Sequence, residues 1–180
     1  HARRRNAQIW GEVTGFGSAQ DAYRVTDTHP DGRGTSTAIL RAVGDARLNL
    51  TDIDYINAHG TGTVLNDKIE TLAIKRAFGS HAYEIPVSSS KSMMGHATTA
   101  CGAIELAVCL MSLRSRVIPP TINYSSPDPD CDLDYVPNIA RESSHCRHVM
   151  SNSIGFGGQN AALVISRYDE ASSYAVRRAA

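Results

Sequence analysis

From Ala97 to Leu113 the chain is almost wholly apolar. Cys101, Ile104, Leu106, Val108, Leu110, Met111 and Leu113 are separated by small residues, and at 3.6 residues per turn they fall on every side of a helix. That pattern predicts an element buried on all sides, around which the rest of the chain must be layered. The run is too short for a membrane span, and Glu105 sits in its middle. The stretch that feeds it is Ser88-Ser89-Ser90-Lys91-Ser92-Met93-Met94-Gly95-His96, preceded by a β-rich lead-in from Glu84 to Val87. A lysine and a histidine are thereby expected at the positive N-terminal end of the helix. Such a place lowers the pKa of an imidazole and favours its neutral, hydrogen-bond-donating form.

The flanking sequence alternates between strand and helix periods. Gln8 to Ser18 reads as a strand that ends in Gly15-Phe16-Gly17, and Ala19 to Gly34, with Pro30 and Gly32, as a surface loop. Thr35 to Leu48 carries Ile39, Leu40, Val43 and Leu48 at helical spacing. Ile53 to Ala58 is a short strand. Asp67 to Phe78 is a second helix, capped by Asn66 or Asp67 and ended by Gly79. Ile85 to Ser89 is a further strand. Beyond the apolar helix, Ile118-Pro119-Pro120 and Pro127-Asp128-Pro129 mark an irregular segment, with a short strand at Leu133 to Val136. His148 to Ile154 and Ala161 to Arg167 form a hairpin about Gly155-Phe156-Gly157-Gly158. This order predicts an α/β fold, a mixed sheet flanked by helices, over residues 1–168, and a flexible tail over 169–180.

With 180 residues, 42% of them apolar, the chain can bury one real core, and its net charge of zero gives no reason to expect nucleic acid or an anionic membrane as a partner. Cys101, Cys109, Cys131 and Cys146 show neither a C-x-x-C pair nor zinc spacing, so free thiols in a reducing, cytoplasmic setting are expected. The chain opens on His1-Ala2-Arg3-Arg4-Arg5 without a methionine, which reads as the interior of a longer protein.

Three loops that follow predicted strands carry unusual residues: Asn57 to Thr63, Lys91 to His96, and Asn152 to Gly158. In a sheet with parallel strands the loops at the carboxyl ends converge on one edge, so two histidines and a lysine can meet in one pocket. Each feature has an ordinary reading when taken singly. His59 would be structural, Lys91 solvated, Thr61 and Thr63 turn hydroxyls, and Gly155 to Gly158 a hairpin turn. His29, His81, His145 and His148 keep such readings. Zinc is disfavoured, since no third ligand has metal spacing.

Together the loops read His-Gly-Thr-x-Thr, Lys-Ser-x-x-Gly-His and Asn-Ser-x-Gly-Phe-Gly-Gly. In this order and at these separations they resemble the C-terminal half of the β-ketoacyl-acyl-carrier-protein synthases of the elongating type in fatty acid synthesis, and of the related polyketide ketosynthases. The resemblance runs from near His1 through Pro119-Pro120-Thr121-Ile122-Asn123 and Cys131-Asp132-Leu133-Asp134 to about Ser166. It implies one half of a thiolase-like fold, in which two similar α/β halves enclose the active site.

The reaction that the resemblance implies is a decarboxylative Claisen condensation. A cysteine thiolate takes an acyl chain, and malonyl-carrier protein then loses carbon dioxide and attacks the acyl thioester. By motif match His59 and His96 are the donors to the malonyl thioester oxygen, where enolate charge builds. Lys91 organises the charge of the pocket, with Glu105 and Asp67 as the acidic groups around it. Phe156 is the gate and its N–H serves the acyl oxyanion hole, while Thr61 and Thr63 hydrogen-bond the pantetheine arm. No cofactor and no metal are implied, because the substrates ride on the phosphopantetheine of an acyl carrier protein. The implied partners are that carrier protein, an N-terminal half of the same enzyme, and a second copy in a homodimer.

Val64-Leu65-Asn66 departs from the more usual Pro-x-Gly, and Met94, Thr98-Thr99 and Gln159 also differ from the family pattern. The larger departure is the nucleophilic cysteine, which in this family lies in the N-terminal half and has no counterpart here. Cys101 comes nearest, but is expected inside the buried helix. The chain alone is therefore expected to be inactive, and half of a two-half fold should leave its inner face exposed. Two other readings compete: a non-catalytic partner subunit like the chain-length factors, disfavoured by the retained His59, Lys91 and His96, and an acyl-binding module without chemistry.

Overall fold

In the computed structural model, which describes residues 1–169, the expected alternation becomes three layers. The strands are β1 (Glu12–Gln20), β2 (Tyr55–Asn57), β3 (Val87–Ser88), β6 (His148–Gly155) and β7 (Gln159–Ser166), hydrogen-bonded in the order β1-β7-β6-β2-β3. β2 runs parallel to both β3 and β6, while β7 is antiparallel to β6 and to β1. Only the hairpin strand is reversed, so β1, β6, β2 and β3 all end at one edge.

Helices α1 (Arg33–Asp45) and α2 (Val64–Phe78) cover one face of this sheet. Ile39, Val43, Ile56, Ile74, Phe78, Val87 and Val164 form the core there. The approach of α1 to β1 is close enough to need glycine: a Cβ on Gly17 would sit 2.0 Å from the carbonyl oxygen of Ala38. Helix α1 also covers the free edge of β1. Asp45 accepts the amide of Phe16 at 2.9 Å, and Arg41 donates to the carbonyl of Ser18 at 2.6 Å. Two groups open to a further strand are thereby taken.

The other face carries a single long helix, α4 (Cys101–Ser115), which follows the one-turn α3 (Lys91–Met94). Its Cys109 and Leu113 pack with Tyr55, Ile118, Val149 and Ile165. The sequence predicts burial on all sides, but only one stripe is covered: Cys101, Glu105, Cys109, Ser112 and Leu113. Ala103, Ala107 and Met111 face outward, Met111 at 56% exposure. The reason is geometric, since one sheet can cover one side of a helix. The apolar residues on the opposite side are left exposed.

Two other expectations are corrected. Leu133 to Val136 forms no strand: Val136 has φ +47°, and the contact with β3 is a single bond from the amide of Val87 to the carbonyl of Asp134. Instead two short strands, β4 (Val117–Ile118) and β5 (Arg141–Glu142), pair antiparallel, too short for alternation to reveal them. Helix α2 begins at Val64, one turn earlier than predicted, with Thr63 at its N-cap. The tail predicted at 169–180 lies, except for Asp169, outside the described residues. Among the described residues no helix is long and apolar enough to cross a membrane.

Candidate active site

Because four strands end at one edge, the three singled-out loops meet there. His59 follows β2, Lys91 follows β3, and Phe156 follows β6. The rings of His59 and His96 lie edge to face, with centroids 5.7 Å apart. Both line a cavity of about 1420 Å³, together with Thr61, Thr63, Cys101 and Phe156.

His59 is 8% exposed, and its loop is held from below. The amides of His59 and Gly60 each donate to the Glu70 carboxylate at 2.9 Å, and the side-chain amide of Asn152 adds a third bond at 3.3 Å. Gly60 has φ +39°, and a Cβ there would sit 2.5 Å from that of Ser89, whose hydroxyl donates to the Gly60 carbonyl. Burial of the imidazole, and then the positive charge of Lys91, press the pKa of His59 down to about 3. Burial and the nearby lysine charge thus favour the neutral form of His59.

The helix-terminus expectation for His96 needs correction. Helix α4 starts at Cys101, and a 3-10 turn at Thr98–Ala100 separates it from His96. The amide of Thr98 donates to His96 Nδ1 at 3.0 Å, so the ring proton of the neutral form belongs on Nε2. Cys101, expected in the helix interior, is its first residue, with Sγ 3.6 Å from the same Nδ1. His96 itself is exposed.

Lys91 and Glu105 form a buried ion pair, 8% and 1% exposed, that ties α3 to α4. Asp67, expected beside that lysine, is elsewhere: it accepts the Gly62 amide at 3.2 Å and braces the threonine loop. The acid that sequence reasoning missed is Glu70. Its signal was a carboxylate between Ile69 and Ala73, on the face of α2 that turns inward. Burial pushes the Glu70 carboxyl up, against the three bonds it accepts.

The hydroxyls of Thr61 and Thr63 are 2.8 Å apart on the cavity wall. Phe156 stands 78% exposed at the tip of the β6–β7 hairpin. The end of β1 and a strap at 21–29 hold that tip: the side chain of Gln20 donates to Gly157, the Asp21 amide to Gly158, and the Gly157 amide to Val25. His29, His81, His145 and His148 do not line the cavity. Among the described residues no three His, Cys, Asp or Glu side chains gather as a metal site. The site offers two imidazoles facing one space, a paired cation behind them, and threonine hydroxyls along the approach. Such a set can stabilise negative charge on a substrate oxygen.

A family profile described as the β-ketoacyl synthase C-terminal domain matches residues 10–125. The chain is 50% identical over 172 residues to the tetracenomycin polyketide synthase ketoacyl synthase alpha subunit of Streptomyces glaucescens, which covers 96% of this chain and 40% of that relative. It is 49% identical over 167 residues to 3-oxoacyl-[acyl-carrier-protein] synthase 2 of Coxiella burnetii, covering 93% of the chain and 40% of the relative. Among solved structures, a type II polyketide ketosynthase in complex with its acyl-carrier protein superposes with TM-score 0.91 at 40% identity, over 94% of this chain and 41% of the other. The ishigamide ketosynthase/chain length factor gives TM-score 0.88 at 40% identity, over 93% and 40%. The chain thus spans 40% of the length of these curated relatives.

Proposed function

This chain belongs to the β-ketoacyl synthases, whose C-terminal domain it matches, and from that premise we propose that it supplies the decarboxylating side of a ketosynthase active site. The observation that carries the reading is the pair of imidazoles 5.7 Å apart, one of them held neutral by burial and a lysine charge. A neutral imidazole offers one N–H. Two of them directed at the thioester oxygen of a malonyl group favour breakage of the bond to its carboxylate, because the electron pair left behind forms an enolate whose charge rests on that oxygen. Carbon dioxide leaves, and the enolate carbon attacks an acyl thioester and expels the cysteine thiolate that carried it.

Lys91 does not attack. Paired with Glu105, it keeps a positive charge behind His59 that opposes protonation of the ring. The acyl-bearing cysteine comes from outside these residues. Cys109, Cys131 and Cys146 are all pushed up by burial, away from the thiolate form. Thr61 and Thr63 hold the pantetheine arm of an acyl carrier protein, a partner supported by the solved ketosynthase–carrier complex. Phe156 gates the acyl side.

The test is carbon dioxide release from malonyl-carrier protein by the full-length protein containing this chain, measured alongside acyl-enzyme formation. His59→Ala and His96→Ala should each slow decarboxylation by roughly a hundredfold to a thousandfold, the value of one oxyanion donor, while acyl loading suffers less. Normal decarboxylation with failed loading in His96→Ala would reassign His96 as the base for the cysteine. Absence of both activities in the parent would favour a non-catalytic chain-length-factor subunit, a kind present among the solved complexes.

A further inference from the structure

Thr26, Asp27, Thr28 and Arg41 line the same cavity as the two histidines. Taking it as the seat of a carrier-bound malonyl thioester, the reading given above, we propose that Arg41 anchors the phosphate of the phosphopantetheine arm. Two of these four side chains carry a formal charge. Asp27 is already neutralised by Arg24 at 3.2 Å. Arg41 has no ion pair among the described residues. The carboxylate one helical turn away, Asp45, is engaged by the Phe16 amide.

Arg41 is bound to the neutral carbonyl of Ser18 through one guanidinium N–H, which leaves its charge uncompensated and further donors for a ligand. It is exposed and lines the cavity. The Ser18 bond fixes the stem of the side chain and lowers the entropy lost when an anion is bound. The arm matches this layout. It bears its thioester at one end, where neutral donors are wanted, and its phosphate at the other, where a planar guanidinium is the matching group.

The ordinary alternative is that Arg41 merely covers the β1 edge. That role is indifferent to a phosphate on the substrate, and the experiment uses this. Malonyl-phosphopantetheine and malonyl-pantetheine differ only in the phosphate, and KM for decarboxylation of each is measured with the full-length protein. The parent should prefer the phosphorylated thioester, and the preference should shrink as salt is raised. Arg41→Gln keeps a donor for Ser18 but removes the charge, and should cut the preference by about fivefold to tenfold. Arg41→Lys should restore part of it. An equal preference in the parent and in Arg41→Gln overturns the assignment. Failure of the underlying reading looks different: the parent then releases carbon dioxide from neither thioester, and the role of Arg41 falls with it.

Discussion

At the scale of single residues, His59 shows how burial turns a titratable group into a fixed donor. Its folded pKa of about 3 lies below the ordinary value of 6.5. As pH falls below 6.5 the unfolded chain takes up a proton that the folded imidazole refuses, so the unfolded state binds more protons and stability drops. The loss runs from about pH 6.5 down toward pH 3, at no more than roughly 1.4 kcal/mol per pH unit for this one group. Glu70 and His148 titrate differently on folding as well, so the comparison needed is between parent and variant. His59→Asn retains the backbone bond to Glu70 and removes the ring. Urea unfolding from pH 7 to pH 4 should show a shallower acid decline in His59→Asn than in the parent. Parallel declines would mean that the ring is solvated. That a histidine stands here was legible in His-Gly-Thr-x-Thr. That Glu70 holds it was not, because the bond joins a backbone amide to a side chain eleven positions away on another element.

Between elements, the tie that matters is Lys91 to Glu105. It joins α3 to α4 across the segment that carries His96. Removing one partner strands the other charge in a dry interior, so Lys91→Met or Glu105→Leu alone should cost about 3–5 kcal/mol. Removing both should cost markedly less than the sum, since an apolar pair of similar volume needs no solvation. Equilibrium unfolding of the two single variants and the double variant measures the coupling. Additive losses would show that the two charges are solvated separately. In the sequence both residues were visible as singular charges beside an apolar run. Their pairing required α3 to break at Gly95, which turns the chain so that α4 lies back along Lys91.

For the molecule as a whole, α4 exposes a stripe of Ala103, Ala107 and Met111, and Phe16 and Phe156, which line the cavity, are exposed as well. A surface of that kind is ordinarily covered. The 180-residue chain on its own is therefore expected to self-associate, with a sedimentation coefficient that rises with protein concentration. Met111→Lys should reduce that rise, and a concentration-independent monomer would show that the stripe is not adhesive. The same chain, incubated with an acyl-carrier thioester, should yield no covalent acyl adduct by mass spectrometry, because the acyl-bearing cysteine is assigned outside these residues. Cys101, the first residue of α4 and next to His96, is the position at which an adduct would contradict this.

The amino-acid sequence by itself determined the class of fold, the three loops and the identity of His59, Lys91, His96 and Phe156, because strand and helix periods and short motifs are local properties of the chain. Tertiary structure alone decided which acid serves which group. Asp67 and Glu70 stand three residues apart on one helix, yet the first braces Gly62 and the second holds His59. The direction of each carboxylate depends on how α2 is rotated against the sheet, and the sequence does not record that angle. It also decided that the apolar helix is covered on one side. Composition reports how much of a surface avoids water, whereas the sheet in place reports how much of it has been covered.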